Sequence, residues 1–303
     1  MAKHIFNKNI NIHLTLTKQC NQNCIFCLIT EDKIKELKFN DVIKKIKKYK
    51  TSNNIFVSID GGEPTIKPYF ISFMKYLSKL KIQSIHLKTN GLRFQDRKFT
   101  EQVLKENKNR LKIYLSLEGP SSDIHDALTQ TKGSFNGAIK SIKNIKNLGG
   151  EIITNIVINS LNYKYLKEYI DLLKKMDIKE TIFLFIIPRG RAWAHRDLIP
   201  SLEKVRPYIE EAIHYADTQQ IFISLTFFPF CLFSKSYYYT HAVEFNINKT
   251  ISQWDKLNKE RYVSPLCRKC IFVDKCPKVW HNYQKLYPFN FKPILNRNSV
   301  CKD

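Results

Sequence analysis

A repeated alternation between residues 10 and 188 limits what this chain can fold into more than any other feature. Runs of strand length rich in β-branched residues recur as "INIHLTLT" (10–17), "NIFVSID" (54–60), "SIHLKT" (84–89), "KIYLSLE" (112–118), "IITNIVI" (152–158) and "TIFLFII" (181–187). The stretches "FNDVIKKIKKY", "YFISFMKYLSKL", "FTEQVLKEN", "FNGAIKSIKNIKNL" and "YLKEYIDLLKKM" lie between them. Their apolar residues fall three and four apart, which predicts amphipathic helices. Six strand-helix units in a row imply an α/β fold with a parallel sheet, because parallel neighbours need a crossover connection and a helix normally supplies it. Whether the sheet closes cannot be read from the period, and a full eight-unit barrel is two units short.

After residue 188 the rhythm breaks. "PRGRAWAHRDLIP" reads as a loop, "SLEKVRPYIEEAIHYADTQQ" (201–220) as a helix interrupted or started near Pro207, and "IFISLTFFPFC" as a strand ending at Cys231. The remainder is aromatic, dotted with proline, and holds four more cysteines. The expected division is a core domain over 1–200 and a small cysteine-rich region over 201–303, held by metal as much as by apolar packing. No Gly- or Ser-rich linker separates them, so the second is expected to pack on the first.

The chain shows neither a signal-peptide apolar core at its start nor about 18 uncharged apolar residues for a membrane span. The expectation is a cytoplasmic protein with no membrane partner, where thiols stay reduced and clustered cysteines serve as metal ligands or catalysts. The net charge of +23 favours polyanionic partners and leaves nucleic acid open. The lysines are nevertheless spread along the chain among Asn and Ile, as on solvated helix faces.

In sheets of this kind ligands gather where strands run into loops at their carboxyl ends. "CNQNCIFC" (20–27) follows the first strand, "GGEPT" (61–65) the second, "NG" (90–91) the third and "EGPSS" (118–122) the fourth. Cys20, Cys24 and Cys27, spaced four and three apart, can wrap one soft metal centre, and thiolates select zinc or iron and sulfur. A closed zinc site needs a fourth ligand, and "LITEDK" offers none before Glu31 and Asp32. Three thiolates on a four-iron cluster leave one iron open to a substrate molecule.

Cys-x3-Cys-x2-Cys with Phe26 before its last cysteine, joined to "GGEP" after the second strand, resembles the radical S-adenosylmethionine (SAM) enzymes over about residues 10–190. The resemblance implies a partial (β/α)6 barrel resembling the TIM barrel. It also implies a 4Fe-4S cluster on Cys20, Cys24 and Cys27 whose unique iron takes the amino and carboxylate groups of SAM. Reductive cleavage then yields methionine and a 5'-deoxyadenosyl radical that abstracts hydrogen from a substrate. The same resemblance implies that Gly61 and Gly62 let the backbone approach SAM, beside Pro64, and that Glu63 accepts from its amino group. Asn90, Ser116 and Glu118 would meet its methionyl and ribose parts, and Asn155 or Val157 would flank the adenine. In many relatives an arginine occupies the middle of the stretch "HDALTQTKGSF", where this chain has Leu128, Thr129 and Gln130. An electron donor such as a reductase, flavodoxin or ferredoxin is implied as a partner.

"CRKCIFVDKC" gives Cys267, Cys270 and Cys276 in a Cys-x2-Cys-x5-Cys array, which resembles the SPASM and twitch extensions that carry auxiliary iron-sulfur clusters. A full SPASM pattern has another cysteine where this chain has Trp280, so one auxiliary 4Fe-4S cluster at most is implied. Cys231 and Cys301 contend for its fourth ligand, and the same spacing would serve a structural zinc. Arg189 and Arg191, in "IPRGRAWAH", are candidates to hold an acidic substrate group. No histidine is assigned to catalysis.

The reading that follows is a radical SAM enzyme that matures a ribosomally made peptide or protein. The alternatives are a radical SAM enzyme acting on RNA or a small cofactor precursor, and a zinc-stapled basic binding protein.

Overall fold

The computed structural model describes residues 10–28, 38–47, 55–233, 260–274, 276–288 and 292–295. Cys301 lies outside the described residues. Seven strands follow one another in sheet order as they do in the chain: β1 (Ile10–Thr15), β2 (Ile55–Asp60), β3 (Ile82–Thr89), β4 (Leu111–Ser116), β5 (Glu151–Ile158), β6 (Glu180–Phe185) and β7 (Phe222–Thr226). The pairs β1–β2, β2–β3, β3–β4, β5–β6 and β6–β7 are all parallel, so the α/β architecture is as expected. β7 is the strand expected to end at Cys231, cut shorter. The chain divides into two compact units, the first made of residues 1–23, 32–116 and 133–153 and the second of 24–31, 117–132 and 154–303.

In the first unit, β2 and β4 alternate buried and half-buried residues, the period-two signature of a pleated strand. Helix α2 (Phe70–Ser78) buries Phe70, Phe73, Met74 and Leu77, which stand at i, i+3, i+4 and i+7 and so form one stripe. Phe70 stacks on Phe99 of α3 (Arg97–Leu104), and Phe99 meets Phe94 edge to face at 5.3 Å. Asp96 caps α3 by accepting from the backbone N–H groups of Lys98 and Phe99, satisfying donors that the first turn leaves without partners. The β1–β2 register sets Thr15 level with Asp60, so the two strands run out together.

In the second unit, α6 (Leu166–Lys175) and α8 (Leu202–Thr218) bury apolar stripes that include Tyr169, Ile170, Val205 and Ile209. Pro207 does not interrupt α8: it sits inside a continuous helix capped by Ser201, at the cost of one main-chain hydrogen bond. Two short helices lie outside the helices expected from the sequence: α4 (Ser122–Thr129), in a stretch assigned no element, and α7 (Gly190–Ala194), in the stretch read as a loop. A two-residue antiparallel ladder joins β8 (Arg261–Tyr262) to β9 (Val279–Trp280), and α9 (His281–Leu286) follows. The Tyr283 hydroxyl accepts from the N–H of Leu202 at 2.7 Å, and the Tyr287 hydroxyl donates to the carbonyl of Ile199.

Candidate active site

In the first unit the chain leaving β2 runs beside the chain leaving β1. Gly62 N–H donates to the Thr17 carbonyl at 2.7 Å, and Glu63 N–H to the Gln19 carbonyl at 2.8 Å. A Cβ on Gly62 would stand 2.3 Å from the Gln19 oxygen, and one on Gly61 2.4 Å from that of Thr17. Here the two glycines permit the backbone leading to Cys20 to lie against "GGEP". At the end of β2, Asp60 takes hydrogen bonds from His13 and from Thr15. Burial alone would raise its carboxyl, but the hydrogen bond and charge of His13 hold it below the ordinary carboxylate range.

Glu63 is fully buried. Its carboxylate accepts from Thr65 N–H and Oγ1, from Thr89 Oγ1 and from Asn90 N–H, at 2.5–3.0 Å. Burial pushes its pKa up while these donors oppose the rise. Glu63 thus ties the β2 loop to the end of β3 and also caps the 3-10 turn Pro64–Ile66. Asn90, fixed in this way, donates from Nδ2 to Asn21 Oδ1 at 2.7 Å and lies 3.8 Å from Cys20 Sγ. Gln22 N–H reaches the same sulfur at 3.4 Å. Ser116 ends β4, half-buried.

In the second unit the turn carrying Cys24 and Cys27, closed by a 3.2 Å bond from Cys27 N–H to the Cys24 carbonyl, is held from two sides. Ile25 N–H donates to the carbonyl of Leu128 in α4 at 3.0 Å. From α7, Arg191 gives its N–H to the Cys27 carbonyl at 3.1 Å and its Nη1 to the Cys24 carbonyl at 3.2 Å. Gly190 has φ +57° and its backbone presses on this turn, since a Cβ would stand 2.5 Å from the Cys27 oxygen. Arg191, a candidate to hold an acidic substrate group, grips the cysteine turn. Phe26, within that turn, is half-buried.

Glu118, buried, accepts from Val157 N–H at 2.8 Å, while its own N–H donates to His125 Nδ1 and its carbonyl accepts from Asn162 Nδ2. Burial pushes the Glu118 carboxyl up to about 7 and the His125 imidazole down to about 4, so His125 is the neutral acceptor the geometry requires. Asn155 Oδ1 is buried with no partner among the described residues. Sequence reading missed His125, Asn162, Thr89 and Asn21, whose partners lie far along the chain or in loops without period.

Also in the second unit, Cys231, Cys267, Cys270 and Cys276 line one cavity with Pro229, Phe230, Tyr262, Val273 and Val279. Burial first, and then the three neighbouring thiols, push Cys231 up to about 12. Cys276 Sγ accepts from the N–H groups of Phe230 and Lys278 at 3.4 and 3.3 Å. Among the described residues no three His, Cys, Asp or Glu side chains are grouped closely enough to hold a single metal ion. A second cavity is lined by Pro188, Arg189, Trp193, Glu260, Trp280 and His281, among others.

Known proteins are similar to this chain in sequence and in fold. The mycofactocin maturase MftC of Mycobacterium tuberculosis (strain H37Rv) is 26% identical over 198 residues, 62% of this chain and 48% of that protein. The AdoMet-dependent heme synthase of Oleidesulfovibrio alaskensis is 24% identical over 180 residues, 58% of this chain and 45% of the relative. The chain thus spans about half the length of these curated relatives. Among solved structures, Streptococcus suis SuiB bound to S-adenosylmethionine superposes with a TM-score of 0.68 at 15% identity, over 98% of this chain and 77% of SuiB. SuiB bound to its precursor peptide SuiA gives 0.58 at 19% identity, over 72% and 49%; at these identities the likeness concerns the fold. The sequence profile of the radical SAM superfamily covers residues 14–186, a span that takes in the cysteine turn, the loop after β2 and strands β2 to β6. By that match, which extends over more than half of its length, the chain belongs to the radical SAM superfamily.

Proposed function

We propose that this radical SAM protein matures a ribosomally made peptide or protein, and that residues 201–303 carry one auxiliary 4Fe-4S cluster. The family uses a 4Fe-4S cluster with SAM, and the residues present suit both. Cys20, Cys24 and Cys27 supply three thiols, and N–H donors from Gln22 and Asn90 already face the sulfur of Cys20, as an anionic sulfur requires. The partnerless oxygen of Asn155 is a buried acceptor suited to an amino or hydroxyl group of the nucleoside. When bound, the cluster and SAM supply a carbon radical able to take hydrogen from an unactivated position.

The chain's own residues position and shield. Glu63 fixes Asn90, and Asn90 orients the Cys20 side of the loop. Arg191 and Gly190 set the turn of Cys24 and Cys27. Glu118, held by Val157, His125 and Asn162, fixes the end of β5, where Asn155 and Val157 would flank the adenine.

The observation that carries the maturase reading is the second cysteine set. Four thiols from two segments line one cavity, Cys231 among them, and Cys231 is thus favoured as fourth ligand. A peptide substrate agrees with the maturase relative and with SuiB, whose structure holds a precursor peptide. The heme synthase relative supports a second reading, a small cofactor precursor. Among the described residues no helix is long and apolar enough to cross a membrane.

The test is anaerobic reconstitution with iron and sulfide, then assay with dithionite and SAM. Near eight irons per chain, 5'-deoxyadenosine, and a mass change in a short peptide encoded beside this chain are expected. Near four irons removes the auxiliary cluster. Turnover of a tetrapyrrole with no peptide change favours the second reading.

A further inference from the structure

One face of the sheet in the first unit is polar and open. Ser58 and Asp60 of β2, His86 and Lys88 of β3, and Lys112 and Tyr114 of β4 are half-buried and alternate with fully buried residues. Ser58 pairs with His86, His86 with Lys112 and Lys88 with Tyr114, and residues paired across neighbouring strands share a face. The rings of His86 and Tyr114 meet there, 5.2 Å apart between centroids. The acids nearby are occupied. Asp60 takes His13 and Thr15 on its two oxygens, and Glu151 pairs with Lys112 at 2.9 Å. Lys88 is different. Among the described residues it makes no hydrogen bond or ion pair, although its charge acts on both Asp60 and His86. Burial first, and then the charges of Lys112 and Lys88, push the His86 imidazole down to about 4, so the neutral ring balances nothing. A half-buried ammonium gives up hydration, and an anion placed against it restores the loss through a charge-assisted hydrogen bond. Ile59 pairs with Leu87, which sets Lys88 beside Asp60, where the chain enters Gly61 and Gly62. Two residues further along β3, Asn90 faces the sulfur of Cys20. The open cation therefore borders the candidate SAM site.

We propose that Lys88 is a specificity-determining residue that holds a carboxylate of the peptide substrate on this face, beside the site where SAM would bind. The inference rests on the peptide reading above and deepens it by naming the group received, an Asp or Glu side chain or the C-terminus. Held there, the carboxylate fixes which neighbouring carbon is presented for hydrogen abstraction.

The experiment uses the reconstituted full chain with SAM, dithionite and the short peptide encoded beside this chain. Altered peptides carry Asn or Gln at each Asp or Glu in turn, or an amidated C-terminus. Lys88→Met removes the ammonium and keeps an apolar stem, and Lys88→Arg keeps the charge. In Lys88→Met the KM for the peptide should rise about tenfold, the usual cost of losing a hydrogen bond to a charged group. Its kcat should change by less than about threefold, the mark of a contact made alike before and during reaction. Lys88→Arg should stay within about threefold of the parent, since the charge-assisted bond survives. One altered peptide should lose the same factor with the parent but less than about twofold more with Lys88→Met, because both changes remove one contact. That peptide identifies the carboxylate as side chain or C-terminus. An unchanged KM, equal losses in Lys88→Met and Lys88→Arg, additive losses, or altered peptides that all react like the original overturn the proposal. Weakened SAM binding by Lys88→Met in the absence of peptide also overturns it, by giving the ammonium to the cosubstrate. A parent that modifies a tetrapyrrole and no peptide defeats the peptide reading alone. Lys88→Met is then scored by its KM for that carboxylic acid, and an unchanged value overturns the role of Lys88. A parent that turns over neither overturns both.

Discussion

The two cysteine sets differ in how the chain surrounds them. Cys20 is exposed and Cys24 and Cys27 half-buried, on one eight-residue segment whose main chain is gripped from elsewhere. Cys267, Cys270 and Cys276 share one ten-residue segment, and Cys231, 36 residues before it in the chain, joins them in lining an apolar cavity, where burial holds the Cys231 thiol far from ionising without a metal. Catalytic metal sites keep a position open, whereas structural ones close it with protein ligands. Under the proposed function, the first set would serve exchange of a small molecule and the second would hold a shielded centre.

The largest effect that would test this contrast is Cys24→Ala. It should reduce 5'-deoxyadenosine formation to background and remove about half the iron; undiminished cleavage of SAM would show that the first set is not the reactive one. Cys270→Ala should leave 5'-deoxyadenosine formation within about twofold and lower modified product by about 10-fold or more, a span seen when groups supporting a metal site are removed. Product yield equal to the parent's would make the second set dispensable. Gly190→Ala adds a Cβ where φ is positive and 2.5 Å from a carbonyl oxygen. About 1–2 kcal/mol of backbone strain should weaken iron retention at the first set roughly tenfold and leave the second untouched; iron loss from both sets alike would deny Gly190 a local role.

The smallest effect is a pH dependence. Glu118 is raised to about 7 by burial, so its ionised form destabilises the fold above that pH. As pH falls toward the ordinary value of 4.5 the native state takes up the proton and the penalty disappears. Glu118→Gln should thus be more stable than the parent at pH 8, by on the order of 3 kcal/mol, with the difference vanishing near pH 4.5. The lowered histidines His86 and His125 act alike in both proteins and cancel. A difference that does not vary with pH in urea unfolding would show Glu118 to be solvated.

Much of this was legible in the residues. Six strands and the long helices followed from period, as did the two cysteine arrays from spacing. α4 and α7 escaped because a helix of one or two turns shows too few repeats for a period. Pro207 misled because a helix packed along its length, as α8 is through Val205, Ile209 and Ile213, absorbs one missing hydrogen bond. The dual roles of Glu63 and Arg191 were hidden for another reason. Each is defined by partners across the fold, Glu63 by Asn90 and Arg191 by Cys24, and no local pattern encodes such pairings. Spacing left both Cys231 and Cys301 open as fourth ligand; the coordinates group Cys231 with the other three, and Cys301 lies outside the described residues.

One short helix has two neighbours. Arg191 and Gly190 of α7 touch the carbonyls of Cys24 and Cys27, while Gly190 and Trp193 also line the cavity shared with Glu260 and Trp280. One helix thus backs both the turn that carries two of the candidate ligands and the wall of the second cavity, so a substitution in α7 touches both.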